Sequence, residues 1–256
     1  MDEYDPAAPG TRVLVPAGAL GSGVRGDELE AGLRLAPHAI ALDAGSTDSG
    51  PAYLATGRSK YSRAAVKRDL ELLMAARARG GVLLLIGSCG TSGCDRAVDW
   101  TLDIALEIAA ERGEAPRIAV LYSEQTQAAI KAKLSAGAVR PLAPVGPLDD
   151  AAIEACSHIV ASLGPEPYMA ALEGGAEIIL GGRTTDTAVL AAMALLRGEA
   201  PGAAWHAAKI AECGGLCTIN PSLPGVIMSV DKSGFTIAPL GAANRCTPKT
   251  VSAHML

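Results

Sequence analysis

The sequence predicts an α/β fold: a doubly wound, mostly parallel sheet with helices on both faces and an antiparallel hairpin towards the C-terminus. Three observations lead there. Short runs of Val, Leu, Ile and Ala recur, each ending in a Gly-rich or Asp-containing turn, which is the pattern of strands buried on both faces. Longer segments with apolar residues at helical spacing lie between these runs. Such alternation of strand and helix implies crossover connections and a parallel sheet, with ligands at the carboxyl ends of the strands.

Residues 1–10 are polar and rich in Asp, Pro and Gly, and read as a flexible lead-in to a single domain over 11–256. Strands are expected at 12–17, 39–43, 82–87, 117–122, 158–162 and 177–181. Ser62 reads as the N-cap of a helix that puts Val66, Leu70 and Leu73 on one face. A second helix carries Leu102, Ala105, Ile108 and Ala109 and closes near Gly113. From about residue 203 the texture changes to an appendage: a helical stretch over 203–212, a Gly- and Pro-rich turn over 214–224, and a hairpin of 226–230 with 235–238 around Asp231-Lys232-Ser233-Gly234.

Composition bounds the function. With 49% apolar residues the chain has enough core to fold without staples, so its six cysteines are expected as thiols. The net charge is -5, basic residues are dispersed and aromatics make up 3%, which argues against nucleic acid as a partner. No window approaches the about 18–20 apolar residues that span a bilayer, and the acidic N-terminus is unlike a signal peptide. A cytoplasmic protein with no membrane partner is the expectation.

The turns after the strands carry the chemistry. One is Asp43-Ala44-Gly45-Ser46-Thr47-Asp48, another is Gly87-Ser88-Cys89-Gly90-Thr91-Ser92-Gly93-Cys94-Asp95, and a third is Gly181-Gly182-Arg183-Thr184-Thr185-Asp186. Each feeds a helix N-terminus, where free N–H groups favour an anion, so the expected ligand carries a carboxylate or phosphate. Gly45, Ser46, Thr47, Ser88, Gly90, Thr91, Gly182 and Thr184 are expected to bind it, with Arg183 as a bidentate clamp. Asp43, Asp48, Asp95 and Asp186 are candidates to move protons or hold a divalent cation. Lys60 and Arg63 follow the first turn closely enough to meet an acidic substrate. For any one of these residues, N-capping or turn formation is the ordinary alternative.

Other motifs point elsewhere. Gly21, Gly23 and Gly26 form a literal G-x-G-x-x-G with Asp43 following at a strand end, the arrangement of a dinucleotide site, although residues 16–20 separate it from the preceding strand. Cys94 is a possible nucleophile without a histidine nearby in sequence, and Cys89, Cys94, Cys213 and Cys217 form a conceivable four-thiolate set. His206, Lys209 and Glu212 share a helical face that points either at the site or at solvent and core.

These residues together resemble the acyclic terpene utilisation (AtuA) family. The resemblance rests on 43–48 with Gly50-Pro51, Ser62-Arg63 with 66–70, Asp99-Trp100-Thr101 with Asp103-Ile104, Gly182-Arg183 with Asp186, and Cys246-Thr247-Pro248 leading to Ala253-His254. It implies catabolism of branched acyclic terpenes or related acids, usually carried as coenzyme A thioesters. It also implies a longer chain, with a further region on the same or a partner subunit, or a homo-oligomer. Small residues usual in the family where Cys89 and Cys94 stand do not support a thiol nucleophile. Three functions follow as expectations: a hydratase or lyase on a small or CoA-linked acid, a dinucleotide-dependent oxidoreductase, or a non-catalytic ligand-binding or regulatory subunit.

Overall fold

The computed structural model describes residues 10–255. Almost all of the expected lead-in therefore lies outside the described residues. Five parallel strands make up most of one sheet: β1 (Thr11–Val15), β2 (Ala39–Asp43), β3 (Leu83–Gly87), β4 (Ile118–Leu121) and β5 (Ile178–Gly181). β6 (Val226–Val230) and β7 (Phe235–Pro239) form the antiparallel hairpin, with β6 against β1. The order across the sheet is β4-β5-β3-β2-β1-β6-β7.

Strand alternation divides the core into two layers. Leu14, Ile40, Leu42, Leu84, Ile86, Ile178 and Leu180 face one side, against α1 (Gly26–Leu33), α3 (Arg63–Gly80) and α4 (Asp95–Arg112). Val13, Val15, Ala39, Ala41, Leu85 and Ile179 face the other, against α7 (Glu166–Glu173), α8 (Asp186–Leu196) and α9 (Pro201–Ala211). The short helices α2 (Ala52–Thr56), α5 (Gln127–Ser135) and α6 (Asp150–Glu154) lie in the connections, and α10 (Pro248–Met255) ends the described chain. Among the described residues, no helix is long and apolar enough to cross a membrane.

Caps set the helix ends where the sequence places them. Ser62 accepts a hydrogen bond from the Ala65 N–H, and Gly113 closes α4 in the left-handed conformation. Helix α9 is part of the second layer: its small residues Ala204, Ala207, Ala208 and Ala211 are buried beside α8 and β6.

Residues 158–162 depart from the expectation of a strand. Val160 makes an isolated antiparallel bridge with Glu124 beyond the end of β4. The segment is half-buried at best, with Ala161 and Ser162 exposed, and it forms no ladder with the parallel strands.

The sheet reverses its winding between β3 and β5. The chain leaves β3 for α4 on one face and leaves β5 for α8 on the other, although the two strands are hydrogen-bonded neighbours. Their outgoing turns open a crevice at the carboxyl ends, the position at which such sheets bind ligands. Ile86 sits fully buried at the centre of this arrangement, and Ile86→Ala is expected to cost about 2–5 kcal/mol in denaturant unfolding. By contrast, Leu142→Ala, at a side chain 81% exposed, should stay within about 0.5 kcal/mol of wild type.

Candidate functional site

Arg183 brings the three turns together. It follows β5, is only 7% exposed, and its guanidinium reaches each of the other two turns. Nη1 donates to the Thr91 carbonyl at 3.2 Å, while Nη2 donates to the Gly45 carbonyl and the Ser88 hydroxyl. The Arg183 N–H donates to Ser123 Oγ at 2.7 Å and to the Gly93 carbonyl at 2.9 Å. A Cβ on Gly45 would collide with the Thr91 backbone, and one on Gly93 with the Arg183 backbone. Glycine at these positions is what permits the approach. Ser88 and Thr91 have positive φ (47° and 69°), a conformation held by the packing around the guanidinium.

The bidentate clamp expected of Arg183 is thus largely engaged by the chain's own carbonyls. Asp43 lies beneath it, 3% exposed, with Oδ2 4.0 Å from Nη2 and accepting from the Gly45 N–H at 2.8 Å. Asp186 Oδ1 stands 3.6 Å from Nη2 on the cleft side. Oδ1 of Asp43 is buried without a hydrogen-bond partner. Burial, reinforced by the charge of Asp186, pushes the Asp43 carboxyl up to about 7, against the opposing pull of Arg183, Ser88 and the Gly45 N–H.

The cleft above this cluster has a volume of about 560 Å³. Its charged lining is Arg183, Asp186, Lys209 and Glu212, with Thr47 and Ser162 among the hydroxyls and Leu54 and Val160 as apolar walls. Glu212 is 5% exposed and pairs with Lys209; burial raises its carboxyl above the ordinary range despite that partner, and Asp186 and Asp48 add to the rise. A neighbouring recess of about 310 Å³ is lined by Ser46, Thr47, Thr91, Ser92 and Arg183.

The remaining sequence candidates divide. Ser46 caps the short turn of Thr47–Ser49 by accepting from the Asp48 N–H, and Asp48 is exposed at the cleft edge. Thr184 is buried, its hydroxyl 2.7 Å from that of Tyr168, and Gly90 and Gly182 are buried in the turns. Lys60 touches Ser49 Oγ at 3.3 Å, whereas Arg63 turns away to pair with Glu107 on α4. Asp95 exchanges hydrogen bonds with Glu124: its N–H donates to Oε2 at 3.0 Å, and the Glu124 N–H donates to its Oδ1 at 3.1 Å. Among the described residues Asp43, Asp48, Asp95 and Asp186 do not gather as a cation-ligand set, nor do Cys89, Cys94, Cys213 and Cys217. Cys89 and Cys94 lie in the turn after β3 and Cys213 and Cys217 in the turn after α9, with Cys217 close to Cys246.

The Gly-rich turn of the literal dinucleotide motif has its own anion. The N–H groups of Gly21 and Gly23 donate to Asp69 Oδ2, and that of Val24 to Oδ1, each at 3.0 Å. Asp69 is fully buried, so these donors are occupied where a pyrophosphate would need them. Gly26 opens α1.

Lys209 and Glu212 gain most from the structure. Their helical spacing was visible in the sequence, but the direction of their face was not; α9 turns it into the cleft. His206, on the same helix, instead packs edge-on to Phe235, with ring centroids 5.0 Å apart.

Fold and cleft define a doubly wound α/β protein with a charged cleft at the carboxyl ends of its parallel strands. The model of the family described as acyclic terpene utilisation family protein AtuA matches residues 22–246. The chain belongs to the AtuA family, which gives it a role in the catabolism of acyclic terpenes. No curated protein and no solved structure matches it.

The buried Asp43 makes stability depend on pH. Its folded pKa of about 7 lies above the ordinary 3.8, so between these values the folded chain binds the extra proton. Asp43 therefore contributes stability that is fully present below about pH 4 and is lost as pH rises through about 7, on the order of 4 kcal/mol over the window. Thermal melts of Asp43→Asn between pH 5 and 8 should show a markedly flatter decline than wild type; parallel curves would refute the assignment.

Proposed function

We propose that the chain is an enzyme of terpene catabolism that binds a branched carboxylic acid, free or as a CoA thioester, and catalyses hydration or elimination by proton transfer. The observation that carries this reading is Glu212, nearly buried yet lining the cleft, with its carboxyl raised by burial. A carboxyl raised above its ordinary range is better matched to giving up a proton as a general acid, and its conjugate base to taking one back.

The surroundings supply the other parts. Lys209 presents an ammonium to the cleft beside Glu212. Helix α8 begins at the cleft without a side-chain cap on its N–H groups, and its positive end faces the same space as Arg183. A substrate carboxylate or thioester carbonyl directed there meets positive potential, which stabilises the negative charge that develops when a proton leaves the adjacent carbon. Asp186 lines the same cleft as Glu212 and is a candidate for the second carboxylate of an acid/base pair. Asp43, beneath Arg183, is a positioning residue, because it does not reach the cleft surface. Leu54 and Val160 offer an apolar wall suited to a branched acyl chain.

The test is calorimetry with a panel of branched free acids and acyl-CoA thioesters, together with exchange of the substrate's α-protons in deuterium oxide. A member of the panel should bind, and Glu212→Gln should slow exchange by about 10²-fold or more while changing affinity little. Lys209→Ala should weaken binding about tenfold. Absence of binding across the panel, or unchanged exchange in Glu212→Gln, would contradict the proposal.

A further inference from the structure

Three side chains from separate segments, none of them lining the charged cleft, meet at the end of the second turn. Cys94 precedes α4, Glu124 follows β4, and His158 lies on the extended segment that bridges to Glu124. Their ligand atoms, one sulfur, one carboxylate oxygen and one imidazole nitrogen, all lie within 4.8 Å of one another. His158 Nδ1 is 2.6 Å from Glu124 Oε1. Cys94 is fully buried, and the other two are partly so.

Two further features mark the cluster. Cys94 occupies the N-cap position of an 18-residue helix, where Ser, Thr, Asp or Asn would satisfy a free N–H, and its thiol makes no capping bond. The sulfur lies 3.2 Å from Ser92 Oγ and within 4.8 Å of ligand atoms of Glu124 and His158. Gly57 lies over the group, in the left-handed conformation at the end of α2, and a Cβ there would stand 3.1 Å from His158 Nε2 and 3.6 Å from Cys94 Sγ. The missing side chain leaves open the side towards which both atoms face. The Asp95 N–H fixes the other carboxylate oxygen of Glu124 at 3.0 Å, so that the ligand is oriented from behind.

The geometry points to a site for a zinc-class divalent cation held by the Cys94 thiolate, the His158 imidazole and the Glu124 carboxylate, with a fourth position open towards Gly57. A thiolate, an imidazole and a carboxylate form a mixed set that favours zinc over magnesium or calcium, which take oxygen ligands. Bonds of about 2.0–2.3 Å in a tetrahedron place ligand atoms roughly 3.3–3.8 Å apart, so small side-chain shifts close the site. Binding releases the Cys94 thiol proton to solvent and takes His158 in its neutral form. The cation would tie the connection between β4 and α7 to the N-terminus of α4. An ordinary His–Glu ion pair accounts for two of the residues and a contact with Ser92 Oγ for the thiol, but neither brings all three ligand atoms to one point.

Titration of the chelator-treated full chain with Co²⁺ alone tests the site. One equivalent should bind, with a near-ultraviolet thiolate-to-cobalt charge-transfer band and the intense visible bands of a four-coordinate ion, and Zn²⁺ should displace it. Cys94→Ser should abolish the charge-transfer band, while Cys217→Ser, at a buried thiol elsewhere, should leave it intact. His158→Ala, at a half-buried position outside the helices and strands, should weaken binding by tenfold or more even if Cys94→Ser does not fold. No band in saturated wild type, a band that survives Cys94→Ser, or unchanged affinity in His158→Ala would overturn the inference.

Discussion

The buried guanidinium of Arg183 is the interaction on which the rest of the site depends. A charge this deep in the protein is costly unless it finds acceptors and a counter-charge is near. The chain meets both conditions with groups drawn from three turns: carbonyls of Gly45, Thr91 and Thr184, the Ser88 hydroxyl, and the carboxylates of Asp43 and Asp186. The turns after β2, β3 and β5 are thereby fixed to one another. A carboxylate so close to an arginine would ordinarily ionise with ease, yet burial and the charge of Asp186 outweigh Arg183 and hold Asp43 near neutrality. The cluster can thus change its charge near neutral pH without any exposed group taking part.

Much of the fold is legible in the sequence because it rests on short-range physics. Runs such as Leu83–Gly87 and Ile178–Gly181 are apolar on both faces and have no stable place except inside a parallel sheet. Ser62 and Gly113 mark helix ends by local hydrogen bonding and backbone conformation. Residues 158–162 mislead for the same reason: their apolar content resembles a strand, but whether a partner edge lies alongside is a matter of tertiary placement.

The site is legible only in part. Glycine-and-aspartate turns after successive parallel strands had to converge, and they do. What the sequence conceals is which partner each group finds. The Gly-rich turn at 21–24 is an anion nest already filled by Asp69, far along the chain. Arg183 reads as a ligand clamp but spends most of its donors on the backbone, whereas Lys209 and Glu212 become cleft residues only because α9 packs beside α8. Cys94, Glu124 and His158 meet through two connections that no local spacing announces.

Lys209, Glu212 and Asp186 line the cleft together with Arg183, and the family's role in terpene catabolism gives that cleft a chemical context. The account stands on Arg183 joining the three turns, and amide hydrogen exchange of Arg183→Met measures this directly. Exchange should accelerate together in residues 44–50, 88–93 and 182–187 while the β1–β6 pairing keeps its protection. Acceleration confined to 182–187, with the other two turns as protected as in wild type, would contradict it.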